Sequence, residues 1–196
     1  CPSNKKSGKT YRQFLLRDMM PASRRWGRQH PYLEKATSSA SIRAIHSIKT
    51  SVAQPHHTVT HIAAKIFIDP KRNEAYVSDG YANHRVIVFD SETGAYKRHW
   101  GAYGNKPDDK NYGPYKANQT PARQFRNPVH CVVLSKDDLL YVCDRANDRI
   151  QVFRPDGTFV REAFLETQTL GSGSVWDIAL SADPAQKYLY VADGEN

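Results

Sequence analysis

A near-repeat constrains this chain more than any other feature. The stretch YVSDGYANHRVIVF at 76–89 returns as YVCDRANDRIQVF at 141–153. A unit that recurs in sequence recurs as one piece of supersecondary structure, and such pieces bury their apolar faces against one another. Read outward from the match, three copies lie in phase: KIFIDPKRNEAYVSDGYANHRVIVFDSETGAYKRHW, VHCVVLSKDDLLYVCDRANDRIQVFRPDGTFVREAF and VWDIALSADPAQKYLYVADGEN. The first copy holds one more residue than the second between its Asp and its Asn, and that longer corner contains the bulky Tyr81.

Local chemistry divides each copy into strands. Lys65 to Ile68 and His130 to Leu134 are rich in β-branched residues, and DPKRNE, SKDD and SADPAQK are turn clusters that reverse the chain. AYVSD, LYVCD and LYVAD form second strands, whose closing Asp can hydrogen-bond the next corner. RVIVF and RIQVF form third strands, and SETG and PDG turn into the fourth strands YKRHW and FVREAF. Four short antiparallel strands per unit predict an all-β fold, a β-propeller, with blades at about 61–100, 125–165 and 174–196. The spacing is uneven, 65 residues from Tyr76 to Tyr141 and 49 from Tyr141 to Tyr190. The excess, 101–124, is rich in Gly, Pro, Asn and Tyr and reads as a long interblade loop.

Topology then selects one face. When strands run up and down in turn, the start of strand one, the end of strand two and the start of strand three share one end of the blade. The corners DGYAN (79–83) and DRAN (144–147) and the strand openings NPVH (127–130) and SVWD (174–177) therefore lie together. Strand one lines the channel of a propeller, which places His130 and Trp176 near the axis. A ligand site belongs at this mouth, where loops converge on a rigid scaffold, and the long loop should reach it too.

Composition narrows the partners. The net charge of +8 is concentrated in residues 1–60, which carry 11 Lys/Arg against Asp18 and Glu34; residues 61–196 carry 17 against 18. The repeat region thus lacks the basic excess of a nucleic-acid surface. No run approaches the length of apolar residues a membrane helix needs. Residues 1–60 are basic and show no sustained period, and read as an irregular or disordered leader, a transit peptide, or sequence foreign to the domain. The chain opens on Cys1 and its third copy stops after two strands, so it reads as a fragment, expected to be inactive alone and to unfold broadly. A three-residue loop at KDD would set Ser135 opposite Leu139 and Cys131 opposite Cys143. A cross-strand bridge is then geometrically open, and a pair of buried free thiols is the default.

The pattern YVSDGYxNxR, then PxH opening the next blade, then DRxNxRIQxF and FVRE, resembles NHL-type propellers. Among these it is similar to the peptidyl-α-hydroxyglycine α-amidating lyases and their bacterial relatives, over residues 61–196. The resemblance implies a six-bladed parent propeller, a zinc held by three His, a structural calcium deeper along the axis, and a secreted or periplasmic location. It further implies that Tyr81 of SDGY is a catalytic residue, that His130 of PVH is one zinc ligand, and that Arg145 of the DR corner is catalytic. The other two zinc His would lie outside 61–196 or in the leader, where His56, His57 and His61 carry no strand-opening pattern. Ala82 replaces the family's Cys after the catalytic Tyr, so a disulfide is lost at that corner.

Plainer readings stand beside these. A lone His at a strand start is usually a hydrogen-bonded structural residue, Tyr81 can simply cap the mouth, and Arg145 between Asp144 and Asp148 reads by default as a salt-bridge partner. Asn83 and Asn147 read as turn residues tolerant of left-handed backbone, and Arg85 and Arg149 as partners of acids on neighbouring blades. Trp100 reads as packed between sheets, and Trp176 either as packed likewise or as lining the mouth. Two functions compete, a zinc-dependent lyase and a noncatalytic propeller that binds a peptide, small molecule or protein at the mouth. An RNA-binding propeller is disfavoured by the charge of 61–196.

Overall fold

The computed structural model describes residues 10–15, 63–108 and 110–194; of 10–15 only the strand itself is described. Blade one is a four-stranded antiparallel sheet of β2 (Ala63–Asp69), β3 (Glu74–Asp79), β4 (Arg85–Asp90) and β5 (Tyr96–Trp100), paired in that order. Blade two repeats it with β6 (Val129–Leu134), β7 (Leu140–Asp144), β8 (Arg149–Phe153) and β9 (Phe159–Phe164). A third sheet holds β10 (Asp177–Leu180) and β11 (Tyr188–Asp193), and β1 (Thr10–Leu15) lies antiparallel on the free side of β11. That pairing departs from the expectation of a wholly irregular leader. Six residues of it take the place of a third strand, which backbone hydrogen bonding of a strand edge favours. The rest of 1–60, with His56 and His57, and His61 beyond it, lies outside the described residues.

The inner strands converge, with β6 in contact with both β2 and β10. Every residue of β3, β7 and β8 is buried, and all but the last of β4. Middle strands are covered on both faces because blades stack, so polar members such as Ser78 and Gln151 are buried along with the apolar ones. One core cluster lies between blades one and two, with Val86, Val88, Trp100, Phe125, Val132 and Phe153. A second joins blade two to the third sheet through Tyr141, Ile150, Val175, Ile178 and Leu189. Burying one such side chain is worth about 1.5–3 kcal/mol, so these interfaces hold the assembly together.

Trp100 packs between sheets as expected. It is 4% exposed, lies 6.0 Å from the Phe153 ring, and sits under the PDG hairpin, where a Cβ on Gly157 would come 2.8 Å from the indole. Gly157 has φ +93, so the turn and the close approach both demand glycine.

The hairpin register is the expected one: Ser135 N donates to the Leu139 carbonyl at 2.9 Å, and Cys131 faces Cys143. The two cysteines are joined in a disulfide with their Cα atoms 4.8 Å apart, so the default of free thiols gives way to the bridge.

The corners are built differently from the expectation. Asp79 accepts from Arg85 Nε and Asn83 Nδ2, each at 2.8 Å, and Asp144 accepts from Arg149 Nε and Asn147 Nδ2, each at 2.7 Å. The arginines therefore pair within their own blade, where Asp79↔Arg85 and Asp144↔Arg149 are neighbours in register. The asparagines are ligands of the corner carboxylate, and the left-handed residue of the second corner is Asp148, at φ 52. A buried carboxylate needs donors for its lone pairs; each corner supplies two of them, and Asp144 also accepts from Arg126 N at 3.0 Å.

Candidate functional site at the channel mouth

Gly80 fixes the approach of the longer corner. A Cβ there would lie 2.2 Å from both the nitrogen and the oxygen of Val129, so the backbone of corner one rests directly on the opening of β6. The Tyr81 carbonyl accepts from Asn127 Nδ2 at 2.8 Å, which pins the next residue of the corner to the same strand opening. The extra residue thus carries a phenol across to blade two. Tyr81 Oη lies 3.1 Å from His130 Nε2, and the rings meet edge to face at 5.9 Å.

His130 is oriented from its other side. Its Nδ1 hydrogen-bonds the backbone carbonyl of Trp176 at the opening of the third sheet. A carbonyl only accepts, so the neutral ring carries its proton on Nδ1 and presents the Nε2 lone pair to Tyr81. Burial lowers the pKa of His130, the Trp176 carbonyl opposes that, and the Arg145 charge lowers it further. The ring is thereby kept in the neutral form able to accept a proton or ligate a cation.

Arg145 departs from its default reading. It forms no ion pair with a described residue; its Nε donates to the Ser172 carbonyl at 2.8 Å and its guanidinium lies 4.5 Å over the Trp176 ring. Trp176 lines the mouth, half-buried, with its indole N–H on the Gly173 carbonyl at 2.8 Å and its ring 5.7 Å from His130. Cation–π stacking holds the guanidinium plane, and a guanidinium fork has the geometry to pair with a carboxylate. Lys65 of blade one and Asp177 of the third sheet form an ion pair nearby that bridges the inner strands.

The three residues marked in the sequence are thus brought into one continuous cluster, Tyr81 to His130 to Trp176 to Arg145. Trp176 was marked only as one of two alternatives, because its part is played through a backbone carbonyl and a stacking face that no motif displays. The long loop reaches this face as expected: Arg126 Nη1 donates to the Tyr112 carbonyl at 3.0 Å, and His84 Nδ1 meets the Asp108 carbonyl at 3.0 Å.

As a zinc ligand His130 has a suitable donor, an Nε2 lone pair on a ring whose tautomer is fixed by a carbonyl, as metal-binding imidazoles require. Among the described residues no group of three or more His, Cys, Asp or Glu side chains is placed to hold a metal, so His130 could furnish only one ligand of a shell completed elsewhere.

Four-stranded antiparallel blades set side by side are those of a β-propeller, and residues 126–153 match the family model for the NHL repeat. Over half its length the chain is similar to amidating enzymes. It is 34% identical over 100 residues to the peptidylglycine alpha-amidating monooxygenase of Rattus norvegicus, covering 50% of this chain and 9% of that protein. Over 98 residues it is 32% identical to the peptidyl-glycine alpha-amidating monooxygenase B of Xenopus laevis, covering 50% of this chain and 10% of that protein. It is also 32% identical over 98 residues to the enzyme of Mus musculus, covering 50% and 9%.

Proposed function

We propose that the mouth cluster belongs to a lyase that cleaves a peptidyl-α-hydroxyglycine to a peptide amide and glyoxylate. The observation that carries this reading is the contact of Tyr81 Oη with the lone-pair nitrogen of His130, with Arg145 in the same cluster. The similarity to amidating monooxygenases supports it. Each side chain has a task suited to its setting. Arg145 would grip the carboxylate of the hydroxyglycine through its fork. Tyr81, positioned by the Gly80 corner, would act as its phenolate, a form that the Arg145 charge favours; Oη takes the proton of the carbinol hydroxyl, the C–N bond breaks as the C=O of glyoxylate forms, and the electron pair leaves with the amide nitrogen, to which Oη returns that proton. Once Tyr81 has lost its proton, the Nε2 lone pair of His130 is released from that hydrogen bond and would hold one coordination position of a zinc, whose chemistry is to acidify and polarise the hydroxyl oxygen. A structural calcium, implied by the same resemblance, would serve the scaffold rather than the reaction.

The test is glyoxylate release from an N-acyl-α-hydroxyglycine, with metal content, in the full-length protein. His130→Ala should abolish turnover and lower bound zinc, and Tyr81→Phe should cut kcat by about 100-fold or more while leaving substrate affinity near that of the parent. Peptide binding that survives both chelation and His130→Ala, without glyoxylate, would instead identify a noncatalytic peptide-binding propeller.

A further inference from the structure

The same face carries a second feature, away from the Tyr81 cluster. A recess of about 190 Å³ opens where the long loop crosses the outer part of blade two, walled by Tyr115, Asn118, Gln119, Pro121, Ala122 and Phe164. Its floor reaches Arg149 and its rim Thr167.

Register fixes where this recess lies. Val129, Asp144, Arg149 and Phe164 are successive partners across β6, β7, β8 and β9, forming one row along the mouth end of the blade. His130 stands beside the inner end of that row, Arg145 beside its second position after β7, and the recess at its outer end. From the β7 position beside Arg145 to Phe164 is two interstrand steps of about 4.8 Å, about 10 Å in all, the span of about three residues of extended chain at about 3.3–3.6 Å each.

Its chemistry is that of a neutral, carbonyl-bearing ligand. The one charge on the floor is saturated: Arg149 donates to Asp144, to the Tyr103 hydroxyl, to Glu162 and to the Gln124 carbonyl. The Tyr115 hydroxyl is committed to the Thr167 carbonyl at 3.1 Å. Donors remain. Gln119 Nε2 is buried with no hydrogen-bond partner among the described residues, and Asn118 uses its Oδ1 to accept from Gln168 while its Nδ2 makes no hydrogen bond there. A buried amide N–H left without an acceptor is costly, and a ligand carbonyl would relieve it. Beside these donors Phe164 stands 42% exposed, with Pro121 and Ala122 as apolar walls. The volume exceeds the ~150 Å³ cavity that accepts benzene, so one leucine- or phenylalanine-sized side chain fits.

We propose that this recess is a subsite for the peptide chain, taking an apolar side chain and backbone carbonyl about three residues upstream of the terminal residue held at Arg145. The proposal rests on the peptide reading of the mouth, and deepens it into a length and sequence preference. Calorimetric titration of the full-length protein with unlabelled peptides ending in glycine, which lack the reactive hydroxyl, tests it without turnover. A six-residue peptide with leucine fourth from its C-terminus should bind about tenfold tighter than a two-residue one, as expected for burial of one apolar side chain. Gln119→Ala on the long loop or Phe164→Ser at the exposed end of β9 should each shrink that gap severalfold, and an unchanged unfolding midpoint verifies the fold. A gap absent from the parent protein, or surviving in both variants, overturns the subsite. Glyoxylate release is scored separately: its failure with the gap intact sinks the lyase reading alone, and its success without a gap sinks the subsite alone.

Discussion

Asp148 illustrates how one residue's surroundings decide its chemistry. It is fully buried in left-handed backbone, and its Oδ1 accepts from Ser174 N at 2.8 Å. Burial pushes its carboxyl up to about 6, the Ser174 bonds oppose that, and Asp193 and Asp144 push it further up. An unfolded Asp titrates near about 3.9, so between about pH 4 and 6 the folded state keeps a proton that the unfolded chain has released, and stability falls as pH rises through that window. Asp148→Asn keeps the acceptor for Ser174 and tolerates the left-handed backbone. It should therefore raise stability by about 2 kcal/mol at pH 7 and by little at pH 4, read from denaturant midpoints. An equal effect at both pH values would contradict the assignment. Glu74 acts in a separate window with opposite sign. Burial raises its carboxyl, but the bonds from Arg98 and Tyr76 outweigh this and bring it down to about 2, so its contribution is lost as pH falls below about 4.5. At this scale the sequence was legible where two copies could be subtracted, which singled out Tyr81. It was misleading at Asn83, Asn147 and the two arginines, because turn propensity says nothing about which carboxylate a side chain will meet once the corner closes.

At the scale of the element, strands and corners were legible and contacts between blades were not. Strand order, the Ser135–Leu139 turn and the Cys131–Cys143 register follow from local periodicity and turn chemistry, which act within one copy. The His130 bond to the Trp176 carbonyl and the stacking of Arg145 on Trp176 join residues 46 and 31 positions apart on different sheets, and depend on how blades stack. The strand at 10–15 was missed for a related reason: its pairing is supplied by the edge of β11 rather than by its own period. The corner that presents Tyr81 gives this scale its prediction. Gly80→Ala places a methyl group against Val129 backbone that has no rotamer to yield, so the corner must lift from β6. Stability should drop by about 1–3 kcal/mol, and Tyr81 should lose its contact with His130. The measurement is the unfolding midpoint together with the imidazole chemical shifts of His130; a variant with both unchanged would show that the corner does not set the phenol's position. The bridge next to His130 should matter too. Replacing Cys131 and Cys143 by Ala frees a loop of sequence separation 12, and should lower the denaturant midpoint by an amount equivalent to about 3 kcal/mol on the chain-entropy account.

For the molecule as a whole, what couples the blades is a small number of wedges and a shared core. Trp100 leaves the last strand of blade one and inserts beneath the hairpin of blade two, against Phe153 and Gly157. Beside it Arg98 holds Glu74 in its own blade with both terminal nitrogens, at 2.7 and 2.6 Å, and donates from Nη2 to the Pro155 carbonyl of the next blade at 2.6 Å. Blades of a propeller are stabilised largely through nearest neighbours, so removing a wedge weakens the interface more than either sheet. Trp100→Ala should cost about 3–5 kcal/mol, because a large buried ring is lost from a slot that Gly157 keeps rigidly open. The loss should fall unevenly. Hydrogen exchange ought to accelerate most along β5 and the hairpin at 154–158, while amides of β7 and β8, enclosed by the second core cluster, keep more of their protection. Arg98→Leu removes the polar link but leaves the wedge, and should accelerate the same hairpin to a smaller extent. Uniform acceleration across both blades in the Trp100 variant would mean that they unfold as one unit, and that the wedge is no more than an ordinary part of a common core.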